Sequence, residues 1–266
     1  MTDPMFPADL QVLLLDADGN LFPSEEPAFV ASADVTNRFL ASLGVNVSYT
    51  AEQLLKTTTG KNFRTTAVDL AIAHGVAVEP ASHPGADAGS GRPALTATVL
   101  DDWVTEEKKV VSEYLGQVLS PDPAVVEPLR RLAPRYQFAA VSSSALSRLD
   151  ECFRATDLDE LIPAPRRYSA EDSLPRPTSK PDPAVYRYAA EQLGLVPQQC
   201  LAIEDSVPGA QSAVAAGIPT VGNITFVRPE ERDARRRELL DAGVTTVISS
   251  WDELATTLLA QPAASS

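Results

Sequence analysis

The sequence predicts an α/β fold: a three-layer, doubly wound parallel sheet interrupted by an all-helical insert. Apolar runs of strand length recur at 12–16, 136–142, 161–164, 200–205, 218–222 and 245–249, most of them unbroken by polar residues, as strands buried on both faces require. Segments with helical spacing separate them, near 145–155, 183–194, 208–216, 230–242 and 251–260, and that alternation builds a parallel sheet. Between 23 and 120, by contrast, the apolar residues keep helical spacing only. The expected division is a core of 1–22 and 121–266 with an inserted helical domain at 23–120.

Each element has its own justification. The first strand ends at Asp16 and turns at Gly19. The segment 28–43 then places Phe29, Ala33, Phe39, Leu40 and Leu43 at helical spacing and stops at Gly44. AEQLLKTTT stops at Gly60 and FRTTAVDLAIAH at Gly75, while 94–119 aligns Val99, Trp103, Val110, Tyr114 and Val118 on one stripe. The stretch 79–93, EPASHPGADAGSGRP, is too poor in large apolar residues to pack and is expected to be a mobile loop. Pro121 and Pro123 mark the return to the core, and the tail QPAASS is expected to be disordered.

The chain has 266 residues and 44% hydrophobic content, enough for one large domain or a domain with a small lid. Its 22 basic and 36 acidic residues leave a formal charge of −14, which disfavours extended contact with nucleic-acid phosphates or anionic lipid. Cys152 and Cys200 have no metal-type spacing and read as buried thiols in a reducing compartment. No apolar stretch approaches the roughly 20 residues of a membrane span. The start MTDPMFPADL lacks a signal-like h-region, so a cytoplasmic location is expected.

Chemistry concentrates at the strand ends, where ligands bind in open parallel sheets. VLLLDADGNL at 12–21 points Asp16 and Asp18 to the same side. Two crowded carboxylates cannot both ionise unless something offsets their repulsion, and CLAIEDSVPGAQSAVAAG at 200–217 adds Glu204 and Asp205. Hard oxygen ligands around one point suit magnesium. FAAVSSS at 138–144 contributes Ser142 and Ser143, and SKPDPAVY at 179–186 contributes Lys180. Blander readings exist for each. DxDG can be a locally hydrogen-bonded turn; Ser142, Ser143 or Ser144 can cap a helix; Lys180 can be a surface lysine beside a proline. The pair Glu204 and Asp205 can cap the helix starting near Pro208, although Ser206 suffices for that. No GxGxxG follows the first strand, which sets aside a dinucleotide site.

In this order the four stretches resemble the haloacid dehalogenase superfamily, nearest its phosphatase and β-phosphoglucomutase branch, over residues 16–217. The helical insert lies where that branch carries its cap domain. The resemblance implies a magnesium-dependent phosphatase that hydrolyses small phosphomonoesters, of sugar phosphate or phosphoglycolate type, through an aspartyl-phosphate. Asp16 would be the nucleophile and a metal ligand. Asp18 would be the general acid and base, with its main-chain carbonyl on the metal, and its presence favours phosphate esters over dehalogenation or phosphonate cleavage. Asp205 would bind the ion, and Glu204 would do so directly or through water. Ser142, with Ser143, and Lys180 would bind the phosphoryl group. GKNFR at 60–64 places Lys61 and Arg64 where relatives often reach the substrate, a solvated surface being the alternative. Many relatives show a histidine four positions after the serine of the linker; here Ser24 is followed by Ala28, which disfavours the alternative of a β-phosphoglucomutase-like isomerase. A non-catalytic relative binding a phospho-ligand or protein is the third reading. His74 and His83 are read as incidental. The expected partner is a small phosphorylated metabolite, with no nucleic acid or membrane, for a monomer or weak homodimer.

Overall fold

β1 (Val12–Leu15) is the axis of the sheet because all four of its residues are apolar and wholly buried, which only a strand covered on both faces permits. In the computed structural model, which describes residues 6–7, 9–58, 62–79 and 94–261, five more strands join it: β2 (Gln137–Ser142), β3 (Arg167–Ser169), β4 (Cys200–Glu204), β5 (Thr220–Asn223) and β6 (Thr246–Ile248). All pairs are parallel, in the order β3-β2-β1-β4-β5-β6. Leu15 sits opposite Ala140 of β2 and Ile203 of β4. One residue further along, Asp16 therefore emerges between the ends of β2 and β4, its N–H donating to the Ile203 carbonyl at 3.0 Å. The register alone brings the first, second and fourth motifs to one edge.

The chain divides into two compact units, Met1–Ser24 with Leu119–Ser266, and Glu25–Val118. The second is helical: α1 (Glu25–Ser42), α2 (Ala51–Thr58), α3 (Phe63–Ala73) and α4 (Ala97–Val118). Its own core centres on Phe39, which meets Phe63 and Trp103 edge-on at centroid distances of 6.2 and 6.0 Å, packed with Val35, Leu40, Leu43, Leu95 and Leu100. His74 ends α3 and its ring shares a 2.8 Å hydrogen bond with the Tyr49 hydroxyl. Lys61, residues 80–93 of the stretch expected to be a mobile loop, with His83, and the tail beyond Gln261 lie outside the described residues.

In the sheet unit the helices are α5 (Pro123–Leu132), α6 (Leu146–Ala155), α7 (Ala184–Gln192), α8 (Val207–Ala215), α9 (Arg232–Asp241) and α10 (Trp251–Ala260). Two features differ from the sequence expectation. α5 was not anticipated, because its prolines look like breakers. Pro123 instead occupies the first turn, where a missing N–H costs nothing. Asp122 caps the helix by accepting from Ala124 N–H at 2.9 Å, and Val125, Val126, Leu129 and Leu132 form the buried stripe. The strand expected at 161–164 is not there. Pro163 has no N–H to give a ladder and leads into a 3₁₀ turn at Ala164–Arg166. The strand is the polar tripeptide Arg167–Ser169, paired with Ala140 to Ser142. Arg167 is buried there, tolerated because its guanidinium pairs with Asp150 at 2.8 Å and with Asp159 and donates to the Ile162 carbonyl at 3.0 Å. No described helix is long and apolar enough to cross a membrane.

Asn20 locks the loop after β1. Fully buried, it donates from Nδ2 to the Asp16 carbonyl at 2.7 Å and the Ile203 carbonyl at 3.2 Å, and its Oδ1 accepts from Asn223 at 2.8 Å. Its main-chain oxygen accepts from the Trp251 indole at 3.2 Å. One amide thus ties β1 to β4 and β5, and its backbone ties the loop to α10. Asn20→Ala would strand buried polar partners and is expected to lower unfolding free energy by about 2–3 kcal/mol, read from urea denaturation; an unchanged midpoint would show that the tie does not hold the loop.

Candidate active site

Lys180 organises the edge where the strands end. Its side chain is 6% exposed, and Nζ donates to Asp16 Oδ1 at 2.5 Å, Glu204 Oε1 at 2.6 Å and the Val141 carbonyl at 2.7 Å. An ammonium has three hydrogens, and these contacts use all of them. Burial would depress this lysine, but the Asp16 and Glu204 carboxylates outweigh it and hold the ammonium above its ordinary range. Burial raises the Asp16 carboxyl, an effect Lys180 offsets only in part and the nearby Asp18 charge reinforces. Glu204, wholly buried, is pushed up to about 7 by desolvation despite Lys180. Its Oε1 also accepts from the Tyr186 hydroxyl at 2.5 Å.

Asp18 lies two residues from Asp16 in a different setting. Its Oδ1 accepts from Arg148 at 2.7 Å and from the Ser24 hydroxyl, and its Oδ2 accepts from the Ser144 hydroxyl at 2.7 Å. Burial would raise this carboxyl, but Arg148 and the two hydroxyls outweigh it and hold it below its usual range. Any share Asp18 has in metal binding therefore falls to its main-chain oxygen.

The serine turn does not cap α6. The residue before that helix is Ala145, without a side-chain cap, and Leu146 N–H donates to Asp172 at 2.7 Å instead. Ser142, 2% exposed, accepts from Ser144 N–H at 3.0 Å. Ser143 accepts from Lys180 N–H at 3.0 Å, which fastens the second motif to the third. Ser206, not Glu204 or Asp205, caps α8, accepting from Gly209 N–H at 3.1 Å. The acidic pair is thus left for another task. Arg64 forms an exposed pair with Asp101 at 2.5 Å. Sequence reasoning missed Arg148, Ser144 as a partner of Asp18, Tyr186, Asn20 and Asn223. Each acts on another motif residue rather than on a ligand, and none forms a pattern within its own segment.

One oxygen from each of Asp16, Glu204 and Asp205, all buried, lies within 4.8 Å of the others. Ionised together they repel one another, and one ammonium, Lys180, lies against two of them. Two glycines make room for them. A Cβ on Gly19 (φ +78°) would stand 2.4 Å from Asp205 Oδ2, and one on Gly209 would stand 1.8 Å from Glu204 Oε2. Glu204 Oε2 is buried and has no hydrogen-bond partner among the described residues, whereas buried acceptors are normally satisfied. Hard oxygens, crowded carboxylates and a spare acceptor fit a divalent cation.

In the metal-free protein the folded state keeps a proton on Glu204 that the unfolded chain releases near its ordinary 4.5. Stability, measured by denaturation in chelator, is expected to fall as pH rises from about 4.5 to about 7, and saturating divalent cation should remove that slope. The lowered Asp18 acts only at more acidic pH. Gly209→Ala would gain roughly 1 kcal/mol at an ordinary helical position. Here the added methyl displaces Glu204, so the variant is expected to bind divalent cation at least about ten-fold more weakly by calorimetry; unchanged affinity would remove Glu204 from the site.

Residues 10–217 match the family model of the haloacid dehalogenase-like hydrolases. A haloacid dehalogenase-like hydrolase domain-containing protein and a CBBY-like protein of Arabidopsis thaliana are 34% and 36% identical to it over 46% and 30% of this chain. The chain spans only 38% and 23% of the lengths of those two relatives. Hexitol phosphatase B of Escherichia coli is 26% identical over 91% of this chain and 94% of its own. The crystal structure of a conserved haloacid dehalogenase-like protein of unknown function from Agrobacterium tumefaciens superposes with a TM-score of 0.62 at 26% identity, over 94% of this chain and 98% of that one. With the family model matched across all four motifs, the chain belongs to the haloacid dehalogenase-like hydrolases.

Proposed function

We propose that the protein is a magnesium-dependent phosphatase of small phosphomonoesters, sugar phosphates foremost, with the inserted helical unit as its cap. The observation that carries this reading is the buried Lys180 ammonium fixed on Asp16 Oδ1 at 2.5 Å, at the end of β1 and beside Glu204 and Asp205. Phosphoryl transfer needs little covalent machinery beyond a nucleophile and positive charge where the equatorial oxygens will sit. The near-complete alignment with hexitol phosphatase B supports the substrate class.

In this reading Asp16 attacks phosphorus in line and forms the aspartyl-phosphate as the ester oxygen departs with a proton from Asp18. Water then attacks phosphorus, gives its proton to Asp18, and releases phosphate and the free Asp16 carboxylate. Arg148, Ser24 and Ser144 hold Asp18 as a carboxylate before substrate enters, the state in which it accepts the water's proton; for the first half it takes up the proton of the phosphate monoanion and passes it to the departing ester oxygen. Ser142 accepts from Ser144 N–H and keeps its own hydrogen to donate to a phosphoryl oxygen, with Ser143 beside it. Lys180 keeps Asp16 ionised and balances charge on the transferring group. Magnesium held by Asp16, Glu204 and Asp205 would neutralise the clustered carboxylates and polarise a phosphoryl oxygen. Lys61 and Arg64 are assigned to the rest of the substrate. The exposed pair of Arg64 with Asp101 is worth only about 0–1 kcal/mol, so a substrate anion can replace it.

Phosphate release from a panel of hexitol phosphates, sugar phosphates and phosphoglycolate, with magnesium and with chelator, tests this directly. Release from one class is expected, abolished by chelator and by Asp16→Asn, and lowered about 10²–10³-fold in kcat by Lys180→Met. Release that survives Asp16→Asn would overturn the assignment of the nucleophile, and no release from any ester would overturn the function.

A further inference from the structure

We infer that Tyr186 is a positioning residue of the metal site: its hydroxyl keeps Glu204 in place when Lys180 turns from that carboxylate to a bound phosphoryl group. The inference rests on the metal-dependent phosphatase reading and extends it to a residue with no part in the chemistry itself. Lys180 has no hydrogen to spare, since Asp16, Glu204 and Val141 take all three. To contact a phosphoryl oxygen it must release one of these partners. Releasing Asp16 would give up the charge that keeps the nucleophile ionised, and releasing the Val141 carbonyl would loosen the end of β2. Glu204 is the partner with a second donor.

That donor is Tyr186. It is fully buried, its hydroxyl lies 2.5 Å from Glu204 Oε1, the same oxygen that Lys180 uses, and its ring lies 5.2 Å from Lys180 Nζ. Two donors on Oε1 fix the rotation of the carboxylate. Oε2 consequently points over Gly209, with no hydrogen-bond partner among the described residues. When Lys180 leaves, the tyrosine hydroxyl still holds Oε1, so the orientation of Oε2 survives. Without that hydroxyl, a buried carboxylate would lose its last donor at the moment the phosphoryl group arrives, and charge desolvated in this way is costly. Tyr186 sits on the stripe of α7 formed with Val185, Ala189 and Ala190, packed against the sheet. Its hydroxyl is therefore delivered by a rigid element rather than by a loop.

The test is manganese binding to the full-length, metal-free protein, followed by the paramagnetic resonance of free Mn²⁺, with and without saturating inorganic phosphate. Tyr186→Phe keeps the ring beside Lys180 and removes only the hydroxyl. We expect its manganese affinity to fall about ten-fold with phosphate present and by less without it, while the metal-free melting temperature changes little. In a Glu204→Gln background the same substitution should add nothing. If the Phe variant does not fold, Tyr186→Met, which keeps apolar volume, is expected to show the same phosphate-dependent loss. Equal affinity in wild type and variant, or a loss no larger with phosphate than without it, overturns the inference. No manganese binding by the wild type would overturn the metal reading and the inference together, so the two failures are distinguishable.

Discussion

Burying several carboxylates at one point is costly, and the arrangement of this sheet edge is best understood as the answer to that cost. Each buried ion carries a desolvation penalty of several kcal/mol after relaxation. Here Asp16, Glu204 and Asp205 converge within 4.8 Å, and a single ammonium lies between two of them. The rest follows from keeping that ammonium in place. The loop carrying Lys180 is fastened to Ser143, α7 brings Tyr186 to the shared Glu204 oxygen, and glycines stand where any side chain would displace an acid. Crowded carboxylate oxygens, one of them without a hydrogen-bond donor among the described residues, are what make a divalent cation a natural partner of the site.

Asp16 and Asp18 illustrate how environment divides labour between identical side chains. They are two residues apart on one turn, yet the first is raised by burial beside a shared lysine and the second is lowered by an arginine and two hydroxyls. Pairs of titratable groups pushed in opposite directions are a recurrent sign of acid and base roles. The chain achieves the split with donors from three separate segments: Ser24 at the end of the first, Ser144 in the turn after β2, and Arg148 on α6.

Much of this was legible in the sequence, for physical reasons that also explain the gaps. The wholly apolar run of β1 and the motifs at strand ends announce themselves because burial and sheet register leave few alternatives. Asp16, Lys180 and Glu204 do meet at one edge. β3 escaped notice because Arg167 is buried by ion pairs rather than by apolarity, so its strand has no hydrophobic signature. α5 escaped because Pro123 and Pro128 look like breakers, and only the Asp122 cap shows why the first of them is accommodated. Arg148 lies on α6 beyond the second stretch, and Tyr186 closes the third, yet on helices a lone arginine or a buried tyrosine looks no different from surface or core. Their meaning comes from three-dimensional neighbours.

The indole of Trp251 donates to the carbonyl of Asn20, a contact that reaches across 231 positions. On the ribosome the loop carrying Asp16 is therefore made well before this support, which waits until β4, β5 and the start of α10 have emerged. A partly synthesised chain can already contain Asp16 and Asp18 without the framework that aims them. The geometry of this loop is a property of the finished strand order, acquired only once α10 has begun to form rather than carried by the segment that bears Asp16.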